Sequence, residues 1–383
     1  MLERLPNIRH LAALAATVEH GTVTEAARAI NLTQPALTQA IARLEADLDC
    51  RLFRREPDGM KPTEPALLLA ERARAALQLI GSLRVTSTQI RAYIALARTG
   101  SYSAAAQLVG VSAASLHRAV ADLSLALGER LVERRGRYLA MTGKGDMRAR
   151  NFNLAQAELR AGMAEVAVWT GKAGGRVVIG AMPLSRARWL PQAILQFSKQ
   201  HPQVEIAVLE GSYAELAGPL RDGEIDLLLG ALRLDESADD LVQQLLFTDR
   251  PQVVMRSGHP VALGKGSSLE ALRGYPWVLP SKGTPLRKYW EGMIASNNSP
   301  EPKVHIECGS VLTIRELLLE SDMLSLLSHD QLRVEVEGGL IVAIPPPIEV
   351  ARAIGITTRR DWKPTASQRA MHAILRDVAS TYS

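Results

Sequence analysis

The chain of 383 residues has two cysteines, Cys50 and Cys308, and they lie far apart in sequence. Such a pair supplies no disulfide framework, and a reducing compartment fits it. No uninterrupted apolar run approaches the roughly 20 residues that a membrane-spanning helix needs. No charged-then-apolar leader opens the chain either, so the expectation is a cytoplasmic protein with no membrane partner. Also missing are a nucleophile elbow, a phosphate-binding Gly-Lys-Ser/Thr loop and paired histidines at metal-ligand spacing. The 8 histidines are scattered. His201 and His259 each precede a proline and read as helix and strand exits, while His10, His20, His305, His329 and His372 read as surface or turn residues. Glu316 and Glu320 lie one helical turn apart, with nothing around them that singles them out for acid–base work. No catalytic residue, metal site or cofactor is expected, and an enzyme or a secreted solute-binding protein is the remote reading.

What the sequence does hold is ordinary for a globular protein, with 47% hydrophobic and 22% charged residues. Its length leaves room for two to four domains. The net charge of +5 is unevenly divided. Residues 1–172 carry 23 Lys and Arg against 16 Asp and Glu, a net of +7, and the remainder carries 22 against 24, a net of −2. A basic front joined to a near-neutral back implies that the front alone meets a polyanion.

A repeat makes that charge specific. GTVTEAARAINLTQPALTQAIARLEADL (21–48) returns 79 residues later as GSYSAAAQLVGVSAASLHRAVADLSLAL (100–127). Over 21–63 the pairing is gapless and 12 of 43 positions are identical, which reads as a duplicated domain. In copy one, Leu11, Leu14, Ala15 and Val18 form an apolar stripe closed by Gly21 as a C-terminal cap. Thr24 is expected to cap a second helix, whose small Ala26 and Ala27 allow a steep crossing. Thr33 caps a third helix, with Gln34 beside it and Pro35 in the first turn, where a missing N–H costs nothing. Leu37, Ile41, Leu44 and Leu48 face inward. Thr38, Gln39 and Arg43 face outward, at the spacing that reaches base edges and phosphates, which is the layout of a recognition helix. LFRREPDGMKPTEP then reads as a hairpin wing whose Arg54, Arg55 and Lys61 meet backbone phosphate.

The run from Ala26 to Arg55, with its Ala-Ala, Thr-Gln-Pro-Ala-Leu-Thr, Leu-Glu and Leu-Phe-x-Arg elements, resembles the DNA-binding domain of LysR-type transcriptional regulators. Copy two is similar to the same family but departs from it: Gln-Pro becomes Ala113-Ala114, Arg43 becomes Asp122 and Glu45 becomes Ser124. Ser115, His117, Arg118, Arg134, Arg135 and Arg137 remain to hold DNA there, and Asp122 is able to accept from cytosine N4. The alternative is that copy two keeps the fold as a spacer without reading bases. In copy one, Pro62 and Ala66 replace the more usual leucine and glycine.

Each copy is followed by apolar residues in alternating steps of three and four, a coiled-coil seam. They are Leu69, Ala73, Ala76, Ile80 and Leu83, then Phe152, Ala155, Leu159, Gly162, Val166 and Trp169. In the family this linker helix pairs antiparallel with its counterpart from another subunit. Only VTST (85–88) separates the first linker helix from copy two, so the two helices of one chain are placed to pair as an intrachain pseudo-dimer. The alternative is a homo-oligomer in which each helix pairs with its twin and a dimer carries four heads.

After GKAGG (171–175), a glycine-rich hinge, the pattern changes to α/β. RVVIGAMP, VEIAVLEG and DLLLGAL alternate with helical segments and predict a parallel sheet covered by helices. A second block follows, and ARAIGITTR returns to the first lobe before a closing amphipathic helix. Residues 176–380 resemble the LysR effector domain, a two-lobed α/β fold of the periplasmic-binding-protein type, in a branch related to galactose-binding-protein regulators. The resemblance implies a small-molecule effector such as a sugar or sugar acid in the interlobe cleft. It further implies promoter DNA and RNA polymerase as partners. Loop position assigns Ser185, Ser212, Ser281, Lys282, Gly283, Thr284 and Ser310 to the effector, each serine being equally explicable as a helix cap. A ligand-free scaffold is the other reading of this half. The expected order is winged helix-turn-helix 1–65, linker helix 66–87, winged helix-turn-helix 88–145, linker helix 146–172 and effector domain 176–383.

Overall fold

The structure, a computed structural model, describes residues 6–56, 59–135, 138–172, 174–234, 238–264, 268–295, 302 and 304–382. The chain divides into two compact units, the first running to Arg176 and taking in the short segments Gln203–Glu205 and Asp222–Glu224, the second formed by the rest. Of the glycine-rich hinge, Gly171 and Gly175 have positive φ, and Ala173 lies outside the described residues.

The first unit is helical and carries two heads of the same plan. Head one has α1 (Ile8–His20), α2 (Val23–Ala29) and α3 (Gln34–Leu48), then the hairpin β1 (Phe53–Glu56) and β2 (Gly59–Pro62), then α4 (Glu64–Ile80). Head two repeats this with α5 (Ser87–Thr99), α6 (Tyr102–Val109), α7 (Ala113–Leu127), β3 (Val132–Arg135), β4 (Tyr138–Met141) and α8 (Gly143–Trp169). Local chemistry sets the boundaries. Gly21 closes α1 at φ 72, and Gly100 closes α5 at φ 65. Thr22, not Thr24, caps α2, accepting from the Glu25 N–H. The cap falls there because the chain leaves Gly21 in extended backbone, and Thr24 is already inside the first turn. Thr63 and Thr142 each donate a hydroxyl hydrogen bond across the foot of their wing, to the Arg51 and Arg130 carbonyls at 2.9 and 2.7 Å.

One core runs through Leu37, Ile41, Leu44 and Leu52 of head one, and another through Leu116, Val120, Leu123 and Leu131 of head two. Helices α4 and α8 lie against each other within the chain. Leu69 and Arg72 meet Gly162, and Gly81 meets Arg148, so the α8 number falls as the α4 number rises and the pair is antiparallel. Val166 near the end of α8 joins the core of head one, and Ala73, Ala76 and Ile80 of α4 join that of head two. The seam is shorter than expected at both ends. Gly81, at φ 77, stops α4 before Leu83, which is 38% exposed. Trp169, 56% exposed, lies past the last covered turn of α8.

The second unit has two lobes. The first holds β5 (Arg176–Ala181), α9 (Trp189–Gln200), β6 (Glu205–Glu210), α10 (Tyr213–Arg221), β7 (Leu227–Ala231) and β8 (Leu241–Asp249). The second begins with β9 (Gln252–Arg256), α11 (Pro260–Leu263), α12 (Leu269–Arg273), β10 (Trp277–Leu279), α13 (Pro285–Ala295) and β11 (Val304–Glu307). It continues through α14 (Val311–Leu319), β12 (Ser325–Leu327), α15 (Arg333–Glu337) and β13 (Ile341–Ile344). The chain then returns to the first lobe as β14 (Arg352–Arg359) and α16 (Ala366–Ala379).

The first-lobe sheet has the order β6-β5-β7-β14-β8. Strands β5 and β7 are parallel as expected, but β14 runs antiparallel to β7 and β8, so the sheet is mixed. The reason is that β14 enters from the other lobe rather than through a helical crossover. In the second lobe β12-β9-β13 is antiparallel, β10 and β11 are parallel, and a Trp277–Leu324 bridge joins the two groups. Trp189 Nε1 donates to the Leu375 carbonyl at 2.9 Å, fastening α9 to α16. His259, read from the sequence as a strand exit, is fully buried, where its Nδ1 accepts from the Val261 N–H and caps α11.

Candidate nucleic-acid interface and effector cleft

In head one, Leu37, Ala40, Ile41 and Leu44 hold α3 by its buried side, leaving Gln39 and Arg43 exposed on the other. The Thr33 hydroxyl accepts from the Ala36 N–H at 3.4 Å, with Pro35 in the first turn. Thr38 donates to the Gln34 carbonyl at 3.0 Å. The Gln34 amide donates to the Thr24 hydroxyl at 3.1 Å, which ties α3 to α2 and gives Thr24 its actual role. Glu45 Oε1 accepts from the N–H groups of Leu52 and Phe53, at 2.7 and 3.2 Å, and so fixes where the wing leaves the helix.

The wing strands sort their cations by face. Arg54 pairs with Lys61 across β1 and β2, so these two share a face, and Arg55 points to the other. Glu133 and Arg134 occupy the matching positions in head two. The face of Arg54 therefore gains an acid there, while the face of Arg55 keeps a cation. That pattern leaves Arg55 and Arg134 as the cations at matching positions of the two wings.

Head two is built alike but dressed differently. Ser112 caps α7, accepting from the Ser115 N–H at 3.1 Å and donating to its hydroxyl at 2.8 Å. The His117 ring packs on Tyr102 of α6, centroids 4.9 Å apart, a contact not evident from sequence spacing alone. Arg118 and Asp122 are exposed on the outward face of α7. Arg134 is exposed on β3, Arg135 pairs with Tyr138 by backbone, and Arg137 lies outside the described residues.

In the second unit each expected effector residue sits at a loop or helix head, and the side chains of Ser185, Ser212, Thr284 and Ser310 are occupied locally. Ser185 is fully buried and donates to the Met182 carbonyl at 2.8 Å. The Ser212 N–H and hydroxyl both donate to the Glu215 carboxylate, at 2.7 and 2.8 Å, and these two bonds hold that carboxyl below its usual range. The head of α10 thus already has its anion. Thr284 donates to the Ser281 carbonyl at 2.9 Å, Lys282 and Gly283 are exposed, and Ser310 accepts from the Thr313 N–H as the cap of α14. The residue the sequence reading passed over is Arg233, just beyond β7. Its guanidinium lies over the Tyr213 ring, 5.0 Å from the centroid, and donates to the Gly283 carbonyl of the other lobe at 3.4 Å. An arginine directly after an apolar strand was the available signal. A separate cavity of about 300 Å³ lies beside the lobe crossover, lined by Trp189, Phe247, Asp249, Arg250, Asp330 and Tyr382 among others, and by none of the expected residues.

Comparison with known families accounts for nearly the whole chain. The description of bacterial regulatory helix-turn-helix proteins of the lysR family matches twice, over residues 8–67 and 87–146. That of the LysR substrate binding domain matches residues 170–380. The chain belongs to the LysR family. It is a LysR-type transcriptional regulator with a DNA-binding helix-turn-helix part and an effector-binding domain. The HTH-type transcriptional regulator GalR of Pseudomonas putida is 32% identical over 388 residues, covering 98% of each chain. PcaQ of Agrobacterium fabrum is 25% identical, over 77% of this chain and 96% of its own. Among solved structures, full-length LysG of Corynebacterium glutamicum with bound effector Arg has a TM-score of 0.54 at 16% identity, covering 76% of this chain and 97% of its own. CbnR has a TM-score of 0.53 at 18% identity, covering 76% and 98%. These two bear on the fold alone. The relatives are regulators rather than enzymes. Among the described residues no helix is long and apolar enough to cross a membrane.

Proposed function

We propose that this LysR-type regulator binds promoter DNA through two winged helix-turn-helix heads in tandem and responds to a small anionic metabolite, a sugar acid or similar carbon source, held between its lobes. DNA-bound homo-oligomers then act on RNA polymerase. The tandem reading draws support from the twofold match at 8–67 and 87–146. It also fits the end-to-end alignment with GalR, against PcaQ, which 77% of this chain nearly spans.

The observation that carries the effector reading is Arg233, a cation on an aromatic face that donates a 3.4 Å bond to the Gly283 carbonyl of the opposite lobe. A carboxylate entering there gains a charge-assisted partner and ties the lobes together. Such a ligand shifts the regulator only through unequal affinity for its conformations. Calorimetric titration of the full chain against a panel of sugar acids and other small carboxylates tests this. The expected result is one binder whose affinity drops at least tenfold in Arg233→Ala, with the fold intact by circular dichroism. A panel without a binder would favour the ligand-free scaffold, which the local hydrogen bonds of Ser185, Ser212 and Ser310 also suit.

A further inference from the structure

The seam between α4 and α8 is written for unlike partners. On α4, Ala66, Leu69, Ala70, Ala73, Ala76 and Ile80 are all fully buried within a single chain, so no face of that seam is left for another subunit's linker helix. In the middle of α4 stands Arg72, itself buried, with its guanidinium bonded to Glu165 at 3.1 and 3.2 Å and to Glu158 at 3.0 Å. Gly162 makes room for it, since a Cβ there would stand 2.9 Å from both Arg72 Cβ and Leu69 Cδ1.

Pairing each helix with its twin fails on charge. An antiparallel α4–α4 pair is centred on Arg72, which then faces its own copy and loses both Glu158 and Glu165. An α8–α8 pair leaves Glu158 and Glu165 without Arg72. Removing one partner of a buried ion pair is strongly unfavourable, and the unlike pair is the arrangement that keeps Arg72 with both carboxylates. The connection is short as well: Ile80, Val85 and Ile90 all lie in the core of head two, so α4 leads into that head without a gap to span.

The two heads also present different chemistry at matching positions of their outward faces. Head one offers Gln39 and Arg43, and head two offers Arg118 and Asp122. Arginine suits guanine O6 and N7, glutamine suits adenine, and an aspartate accepts from cytosine N4.

From this we propose that one chain is a complete two-headed reader whose operator consists of two unlike half-sites, the α4–α8 pair taking the place that the linker helices of two subunits fill elsewhere in the family. The proposal rests on the reading of both heads as DNA-binding. The test is selection by the full-length chain from a pool of duplexes with a randomised core, repeated with Arg43→Ala and Arg118→Ala, both exposed positions. Two different sequence blocks in fixed order and spacing are expected. Arg43→Ala should erode only one block and Arg118→Ala only the other, each weakening binding on the order of ten- to a hundredfold. An inverted repeat of a single block, or a site indifferent to Arg118→Ala, overturns the proposal while leaving DNA binding in place. A pool in which nothing is enriched, with no salt-sensitive retention of any duplex, removes the underlying reading and the proposal with it.

Discussion

His259 resists protonation in the folded lobe. Its Nδ1 accepts from the Val261 N–H at 3.1 Å and its Nε2 lies 3.2 Å from the Asp322 carbonyl, an arrangement that only the neutral ring with its proton on Nε2 satisfies. Burial lowers its pKa from 6.5, and the bond to Asp322 offsets only part of that. The unfolded chain therefore binds a proton that the folded chain resists. The stabilisation is complete above about pH 6.5 and is lost as pH falls from there toward the depressed folded value. His259→Asn keeps a side-chain acceptor for the cap and cannot titrate. Urea denaturation at a series of pH values should show a shallower loss of stability below pH 6.5 in this variant than in the parent. His10 and His372, also lowered mainly by burial, leave a residual slope. An unchanged slope would remove His259 as a contributor.

At the scale of helices and strands, the same logic of unpaired charge governs the α4–α8 pair. Arg72→Met leaves Glu158 and Glu165 facing apolar surroundings, and it should destabilise the first unit by about 3–5 kcal/mol. Replacing all three charges together, as Arg72→Met with Glu158→Leu and Glu165→Met, should recover most of that loss, because an apolar substitute for a buried ion triad is close to neutral. Denaturant titration of the variants distinguishes a buried triad from a surface ornament, for which every value would fall within about 1 kcal/mol. The seam itself was legible in the sequence, because apolar residues at steps of three and four name a face whatever covers it. The short connection at 85–88 pointed to the other helix of the same chain as its cover, but the charges at the centre of the seam were not legible. Arg72 interrupts no periodicity, and its partners lie 86 and 93 residues onward. The ends of the seam were misread for a related reason: Leu83 and Trp169 keep the apolar rhythm, but Gly81 and the last packed turn of α8 stop it. The strands of the second unit were readable from their apolar runs. The antiparallel entry of β14 was not, since direction is set by the lobe from which a strand arrives. In the second unit, loop serines drew notice by position, and of these Ser212 and Ser310 accept at helix heads, whereas Arg233 is placed by its strand and noticed only beside Tyr213.

At the scale of the molecule, DNA binding should be largely a matter of counted phosphates. The first 172 residues carry a net charge of +7 and the rest −2, so the electrostatic attraction resides in the heads. Each phosphate neutralised releases counterions and adds about −0.9 to the slope of log affinity against log salt concentration. Register places Arg55 and Arg134 on the same face of their two wings, opposite to the face where Lys61 pairs with Glu56 at 3.6 Å. If both wings touch DNA at once, Arg55→Gln and Arg134→Gln should each flatten the slope by about 0.9, and the double variant by about 1.8. The losses should be nearly equal on specific and random duplexes, because a phosphate contact carries no sequence information. Fluorescence anisotropy on both duplexes between about 50 and 200 mM salt, the interval over which such contacts are most visible, supplies the slopes. A flattening from Arg55→Gln alone would confine backbone contact to head one and make head two a spacer. Equal increments from both variants would mean that the repeated half of the sequence is spent on DNA twice.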